Sequence, residues 1–415
     1  MPSWLIAWRN IRTRAVQSAL TVVIIAVAVA LSLTIGLLAG GVRRGLMVAG
    51  GPFELVVGPK GSPTQLVTSG VLLQDVPIGN LTLGDYRQLA ADARVRDALP
   101  IALGDNIRGA RIVGTVPAMF DIALTPGQGP FYRIADGQAF AADFEAVLGS
   151  TAAQRLGLRP GQQFLSTHGV LEGVNETEHL GLPYTVVGVL APTGTPFDSG
   201  VFVSLGSYWH THGLTRGTIA TPGGALSDQT QANAPPDLGI TAVLLRGRDL
   251  SASYQLYQQI NASQAQQAAL PGQVLVQLID LLGQGQQLLA LLSAVALGMA
   301  VLSTALSLYN AVLSRQHEIA VLRALGAPRR TVIGVVLWEV LLICGLGVLL
   351  GALLGIAAAF GGAAAIGARS AVAVPIVVGW GELGTAAITL ALGLLAGALP
   401  ALRAYRVQAA AVLGS

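Results

Sequence analysis

Residues 314–339, "SRQHEIAVLRALGAPRRTVIGVVLWE", form a short basic string set between two long apolar stretches. Upstream, residues 287–314 carry no charge until Arg315. Downstream, the run from Thr331 to Ala368 is interrupted only by Glu339, near its start. Two further runs have the same character: residues 15–42, with no charge between Arg14 and Arg43, and residues 383–402. Each reaches the roughly 20 residues that a helix needs to cross about 30 Å of hydrocarbon. The composition agrees. Of 415 residues 53% are apolar and only 11% are charged, against about 25% charged in ordinary soluble domains. Mean hydropathy is +0.63. A disordered chain is excluded, and an α-helical membrane protein with four transmembrane helices is expected.

The arginines orient it. Arg9, Arg12 and Arg14 precede the first run; Arg315, Arg323, Arg329 and Arg330 lie between the second and third; Arg403 and Arg406 follow the fourth. These nine charges face one acid, Glu318. Residues 43–286 carry 14 Arg or Lys against 18 Asp or Glu. The basic pI of about 9.2 is therefore read as positive-inside topology, not as a nucleic-acid surface, which needs a basic patch on a soluble face. Both termini are expected in the cytoplasm, with a large domain outside the membrane. The apolar core of the first run exceeds the usual 7–15 residues of a cleaved signal, so it is read as an uncleaved anchor.

The expected order is a cytoplasmic amphipathic entry (1–14), a first span (15–42), a mixed α/β extracytoplasmic domain (43–249) and a stalk helix (250–286) broken at Pro271-Gly272. A second span (287–314), a cytoplasmic loop (315–331), a third span (331–360), a short outer loop (361–382), a fourth span (383–402) and a cytoplasmic tail (403–415) follow. In the outer domain, "ELVVG" (54–58), "ARIVGTV" (110–116), "YTVVGVL" (184–190), "VFVSL" (201–205) and "ITAVLL" (240–245) read as strands. "GSTAAQRLGL" (149–158) reads as a helix capped near Ser150 or Thr151 and ending at Gly157. "FELVVGPKGSPTQLV" (53–67) reads as a shaped loop near the membrane, either a lateral entrance or a connection.

This order, with "AWRNIRTRAVQSALTVV" (7–23), the 314–339 string, "LPALRAYRVQAAAVL" (399–413) and "VLGSTAAQRLGLRPGQQF" before "YTVVGVL", resembles the MacB/FtsX/LolE type of ABC transporter permease. Where that family often has a proline near the C-terminus, this chain has Val407 or Gln408. The resemblance implies a mechanotransmission permease with a MacB-like outer core domain. It implies a second permease copy, two copies of a separate ATPase holding ATP and Mg, and contact with membrane lipid and with an extracytoplasmic binding protein. It further implies export or extraction of an amphiphilic or small substrate. The residues agree on one point independently. There is no GxxxxGK[ST] loop, and the single lysine, Lys60 in "GPKGS", has the wrong spacing. No catalytic constellation is seen, and no cofactor is expected in this chain itself.

Helical spacing in 315–331 puts Glu318, Leu322 and Leu325 near one face and Arg315, Ile319 and Arg323 near another, with Gly326 ending the helix. Arg315, Glu318, Leu322, Arg323, Leu325 and Gly326 are the candidates for coupling to the ATPase. Gly347, Gly351 and Gly355, with Gly393 and Gly397, recur at fourfold spacing and fit close helix packing, although 52 glycines make some repeats expected. The family resemblance places the dimer contact on the first and second helices. Four of five histidines, His168, His179, His210 and His212, lie in the outer domain with Glu172, Glu176 and Glu178 nearby. Imidazole with carboxylate suits zinc, copper or nickel. If "WHTHG" is a strand, His210 and His212 share a face. A transition-metal or haem-related site and a set of solvated loop histidines both remain open. Two other classes are distinguishable: a membrane-anchored regulator passing ATPase motion to an outer hydrolase or sensor, and an ion-driven transporter, which predicts internal repeats and broken helices.

Overall fold

The computed structural model describes residues 3–125, 127–169, 177–179, 181–214, 234–313, 328–369 and 372–406. The chain divides into two compact units: one is Arg43–Asp280 with Ile366–Ala373, the other holds the remaining residues.

The helical unit draws on α1 (Ser3–Thr13) and α2 (Ala15–Ala49). It also draws on three helices late in the chain: Pro271–Leu313, Arg329–Arg369 and Trp380–Arg406. The helix Ala15–Ala49 has 35 residues, about 52 Å at 1.5 Å per residue, and passes the expected end at 42 despite its glycines. Three helices meet the length and composition of a membrane span, over Ala15–Ala49, Pro271–Ser307 and Ile333–Gly367. The fourth expected span falls on Trp380–Arg406, where the apolar stretch among the described residues is the shorter Leu383–Leu395. The expected outer loop 361–382 begins later than read, because Arg329–Arg369 stays helical. Polar side chains tie these helices together. Gln17 Nε2 donates to Ser307 Oγ at 3.2 Å, and Thr34 Oγ1 to the Gly355 carbonyl at 3.1 Å. Glu339 is buried and engaged.

The α/β unit follows α2 with β1 (Leu55–Pro59), α3 (Pro63–Gly70), β2 (Leu81–Thr82), α4 (Leu83–Ala91), β3 (Val95–Ile107) and β4 (Ala110–Thr115). Next come β5 (Ile134–Gly137), β6 (Glu145–Leu148), α5 (Ser150–Leu156), β7 (Gln163–Phe164), β8 (Thr167–His168), β9 (Thr177–Glu178) and β10 (Tyr184–Leu190). The unit ends with β11 (Val201–Ser204), α6 (Leu205–Thr211), β12 (Gly239–Ile240), β13 (Ala242–Gly247), α7 (Leu250–Asn261) and β14 (Gln266–Ala269). The late long helices are α8 (Pro271–Leu313), α9 (Arg329–Arg369) and α10 (Trp380–Arg406).

The main sheet runs β14-β1-β13-β3-β4-β11-β6-β10-β5. Its centre is β3, 13 residues long. The first half of β3 pairs with β13 and the second half with β4 and β8. Strands β4, β11 and β13 are buried throughout, as strands covered on both faces must be. β10 alternates buried and half-buried residues. A large core around Leu55, Leu99, Phe202 and Trp209 runs from β1, β13 and β3 onto one face of β4, β11 and β6, and a second, around Ile112, Phe144 and Tyr184, takes the alternate residues of those last three strands together with β10.

Three readings need correction. Residues 53–67 are not an irregular loop: β1 is an inner strand between β13 and β14, and α3 follows, capped by Ser62. The stalk expected at 250–286 is not helical up to its break at Pro271-Gly272. α7 ends at Asn261, whose side chain pairs with the Ala268 backbone in both directions, and β14 then adds an edge to the sheet. Pro271, which has no N–H to lose, opens α8. Third, "WHTHG" is not a strand: Ser204 caps α6 through the Ser207 amide, and His210 lies within the helix. α5 is close to expectation, except that Gly149 takes the cap position; Gly157 ends it at φ 69.

Candidate functional site

The coupling candidates Arg315, Glu318, Leu322, Arg323, Leu325 and Gly326 lie outside the described residues, as do Glu172 and Glu176. Three of the packing glycines meet α2. A Cβ on Gly347 would stand 2.8 Å from Ile25 Cβ, one on Gly351 2.6 Å from the Ala26 carbonyl oxygen, and one on Gly355 2.9 Å from the Ala30 carbonyl oxygen. No side chain larger than hydrogen fits this seam. A Cβ on Gly393 would meet Cys344 Sγ at 2.6 Å. Gly397 falls on α10.

In the α/β unit the chain draws three of the four outer histidines together. His168, His179 and His212 converge on Asp105, and one ligand atom from each of the four lies within 4.8 Å of the others. The site is built at a β-bulge. Leu103 opposes Val113 and Asp105 opposes Ile112, so Gly104 is the extra residue. The bulge leaves Asp105 opposite His168 of β8. His179 follows β9, and its amide donates to the Ser166 carbonyl. His212 closes α6 one turn after Tyr208: its Nδ1 lies 2.8 Å from the Tyr208 carbonyl oxygen, and the two rings meet at a tilt of 37° with centroids 4.3 Å apart. Gly104 is required here, because a Cβ would stand 2.9 Å from His212 Nε2 and 3.0 Å from Tyr208 Oη.

His210 does not join the cluster. Positions i and i+2 share a face in a strand but lie about 200° apart on a helix. His210 therefore packs edge-on against Phe144 at 5.6 Å. Near it Asp143 accepts from Ser204, and the Phe144 amide donates to Ser207 Oγ at 2.7 Å. Asp105, which does join the cluster, has its signal in "IALGDNI": an acid inside an apolar strand.

Three ring nitrogens surround one carboxylate oxygen. His168 Nδ1, His179 Nε2 and His212 Nε2 lie 3.4, 3.3 and 3.2 Å from Asp105 Oδ1. Asp105 is 1% exposed, whereas His168 is 51% exposed, which leaves the site one open side. Burial pushes the His212 imidazolium pKa down; Asp105 and the Tyr208 carbonyl outweigh this, and the net direction is up. Burial, joined by the Asp105 charge, pushes the Tyr208 phenol up.

The family model of the MacB-like periplasmic core domain matches residues 18–236, and that of the FtsX-like permease C-terminal region matches residues 290–409. The first alone spans more than half of the chain. The chain belongs to the MacB/FtsX type of ABC transporter permease. As such a permease it is a membrane-embedded subunit with an extracellular-type domain, and the family implies an ABC ATPase partner. Among solved structures, the periplasmic region of MacB from Actinobacillus actinomycetemcomitans is 12% identical, with TM-score 0.34, over 57% of this chain and 95% of that one. The extracellular domain of the ABC-type transporter YknZ from Gram-positive bacteria is 11% identical, with TM-score 0.29, over 52% and 98%. No curated protein matches.

Proposed function

We propose that this permease subunit couples ATP hydrolysis on a separate ATPase to movement of its outer α/β domain, and so exports or extracts an amphiphilic or small substrate. The observation that carries the reading is the order of the two family matches along the chain, core domain at 18–236 and permease region at 290–409. In this reading both termini are cytoplasmic, in keeping with the arginine bias. The complex holds a second permease copy and two ATPases, and residues 315–331 seat on the ATPase. The chain itself has no phosphate-binding loop, so it depends on the partner for ATP.

The test is reconstitution of the permease with its ATPase in proteoliposomes. The paired change Glu318→Ala and Arg323→Ala is expected to leave the ATPase fold intact and to abolish the effect of the permease on ATP turnover. Turnover indistinguishable from that with the unmodified permease would refute coupling through this segment.

A further inference from the structure

We infer that Asp105, His168, His179 and His212 bind one divalent transition-metal ion, with zinc the ion that the donor set fits, and that the ion clips the β8–β9 hairpin to β3 and to the end of α6. This is independent of the transport reading.

The three distances to Asp105 match edges of a tetrahedral site. With metal–ligand bonds of about 2.0–2.1 Å, the edges of a tetrahedron are roughly 3.3–3.4 Å. The three histidine nitrogens stand 3.2–3.4 Å from Asp105 Oδ1. Three imidazoles and one carboxylate make a closed four-ligand set, which is how zinc is held where it has a structural role.

A hydrogen-bonded cluster explains the same atoms less well. Asp105 Oδ2 is buried and has no hydrogen-bond partner among the described residues, and the same holds for His212 Nε2. An orphaned buried carboxylate oxygen is costly. The Tyr208 carbonyl takes the proton of His212 Nδ1, so the neutral ring turns a lone pair, not an N–H, toward Asp105. Two acceptors at 3.2 Å repel each other unless a cation, a second proton or a metal ion, lies between them. A carbonyl behind a ring nitrogen is also the usual way in which a metal-bound imidazole is oriented.

The ligands come from three separated segments, around residues 105, 168–179 and 212. An ion here is worth more than a local turn, because it closes long loops. β8 and β9 have two residues each and depend on such a tie. His168, half-exposed, is the side by which the ion enters and leaves.

The test uses the full-length protein in detergent, stripped with chelator and reloaded with zinc alone, then with cobalt alone. One zinc per chain is expected by elemental analysis, together with the visible absorption of tetrahedral cobalt. His168→Ala, an exposed change that does not threaten the fold, and His179→Ala are each expected to weaken binding at least about tenfold, the least that disturbing a metal site's supporting groups costs. His210→Ala is expected to bind as the parent does. Hydrogen exchange of the amides of residues 163–169 and 177–179 is expected to slow on zinc addition and to be unchanged in His168→Ala. Absence of stoichiometric zinc in the parent overturns the proposal. So does zinc binding that survives both His168→Ala and His179→Ala; the cluster would then be an imidazolium–carboxylate network.

Discussion

Replacing Gly351 by leucine drives a side chain into α2 where there is no room for it. The new Cβ falls 2.6 Å from the Ala26 carbonyl oxygen and 2.8 Å from Val29 Cβ, against ordinary contacts of about 3.5–4.0 Å. One of the nearest atoms is backbone, so relief requires α2 and α9 to part by roughly 1 Å, a gap that forfeits a quarter to a half of the dispersion between them. Overpacking of this kind costs about 1–3 kcal/mol. The same change raises helix propensity by about 0.8 kcal/mol, which obscures the cost unless it is cancelled. Gly361→Leu cancels it: Gly361 lies on the same helix and nothing stands within 4 Å of its Cβ position. The difference between the two variants is thus the contact alone, about 1–3 kcal/mol, or roughly 2–4 °C of melting temperature for each kcal/mol. Thermal scans in one detergent at one scan rate measure it. If Gly351→Leu melts at or above Gly361→Leu, the glycine seam between α2 and α9 is wrong.

Trp209→Ala empties a fully buried site and removes the Nε1 donor to the Gly239 carbonyl, so denaturant unfolding of the α/β unit is expected to show a loss of about 3–5 kcal/mol; a loss under 1 kcal/mol would contradict that packing. Gly157→Ala forces a side chain onto φ 69 at the end of α5, and the same assay is expected to show a loss of about 1–2 kcal/mol; no loss would refute the left-handed cap. Burial pushes the Asp143 carboxyl up, opposed more weakly by Ser204, His210 and Ser207. Its stabilising contribution is therefore present below the ordinary carboxylate range near about 4 and is lost as pH rises through the folded pKa. Asp143→Asn cannot ionise, so its stability relative to the parent is expected to improve as pH rises above about 4, and a gap that is flat or that moves the other way refutes the burial penalty.

The membrane helices were legible because residues 15–42 and 287–314 are uncharged, and residues 331–360 carry only Glu339, over longer runs than a soluble core helix needs. The strands around Val56, Ile112, Val186, Phe202 and Leu244 were legible from their β-branched runs. The stalk was misread because "QQAA" at 266–269 has no strand propensity of its own; it is a strand only because β1 offers a free edge. The histidine cluster was half legible. Residue types left a metal site and a set of solvated histidines both open, and membership of the cluster depended on period. His212 belongs because it lies one helical turn from Tyr208, and His210 does not, for the same reason. Asp105 escaped notice because only the bulge at Gly104 keeps an acid inside β3, and because it meets His168, His179 and His212 across separations that spacing cannot reveal.

On the proposed reading, this chain is the membrane half of an ATP-driven machine whose ATPase is a separate protein. Gentle purification of the tagged, full-length chain from its native membranes, followed by quantification of what accompanies it, tests this most directly. An ATP-binding subunit in near one-to-one ratio with the permease, lost when Glu318 and Arg323 are both replaced by alanine, is the predicted result. Recovery of the permease without any ATP-binding protein, under conditions that keep another such transporter whole, would contradict it.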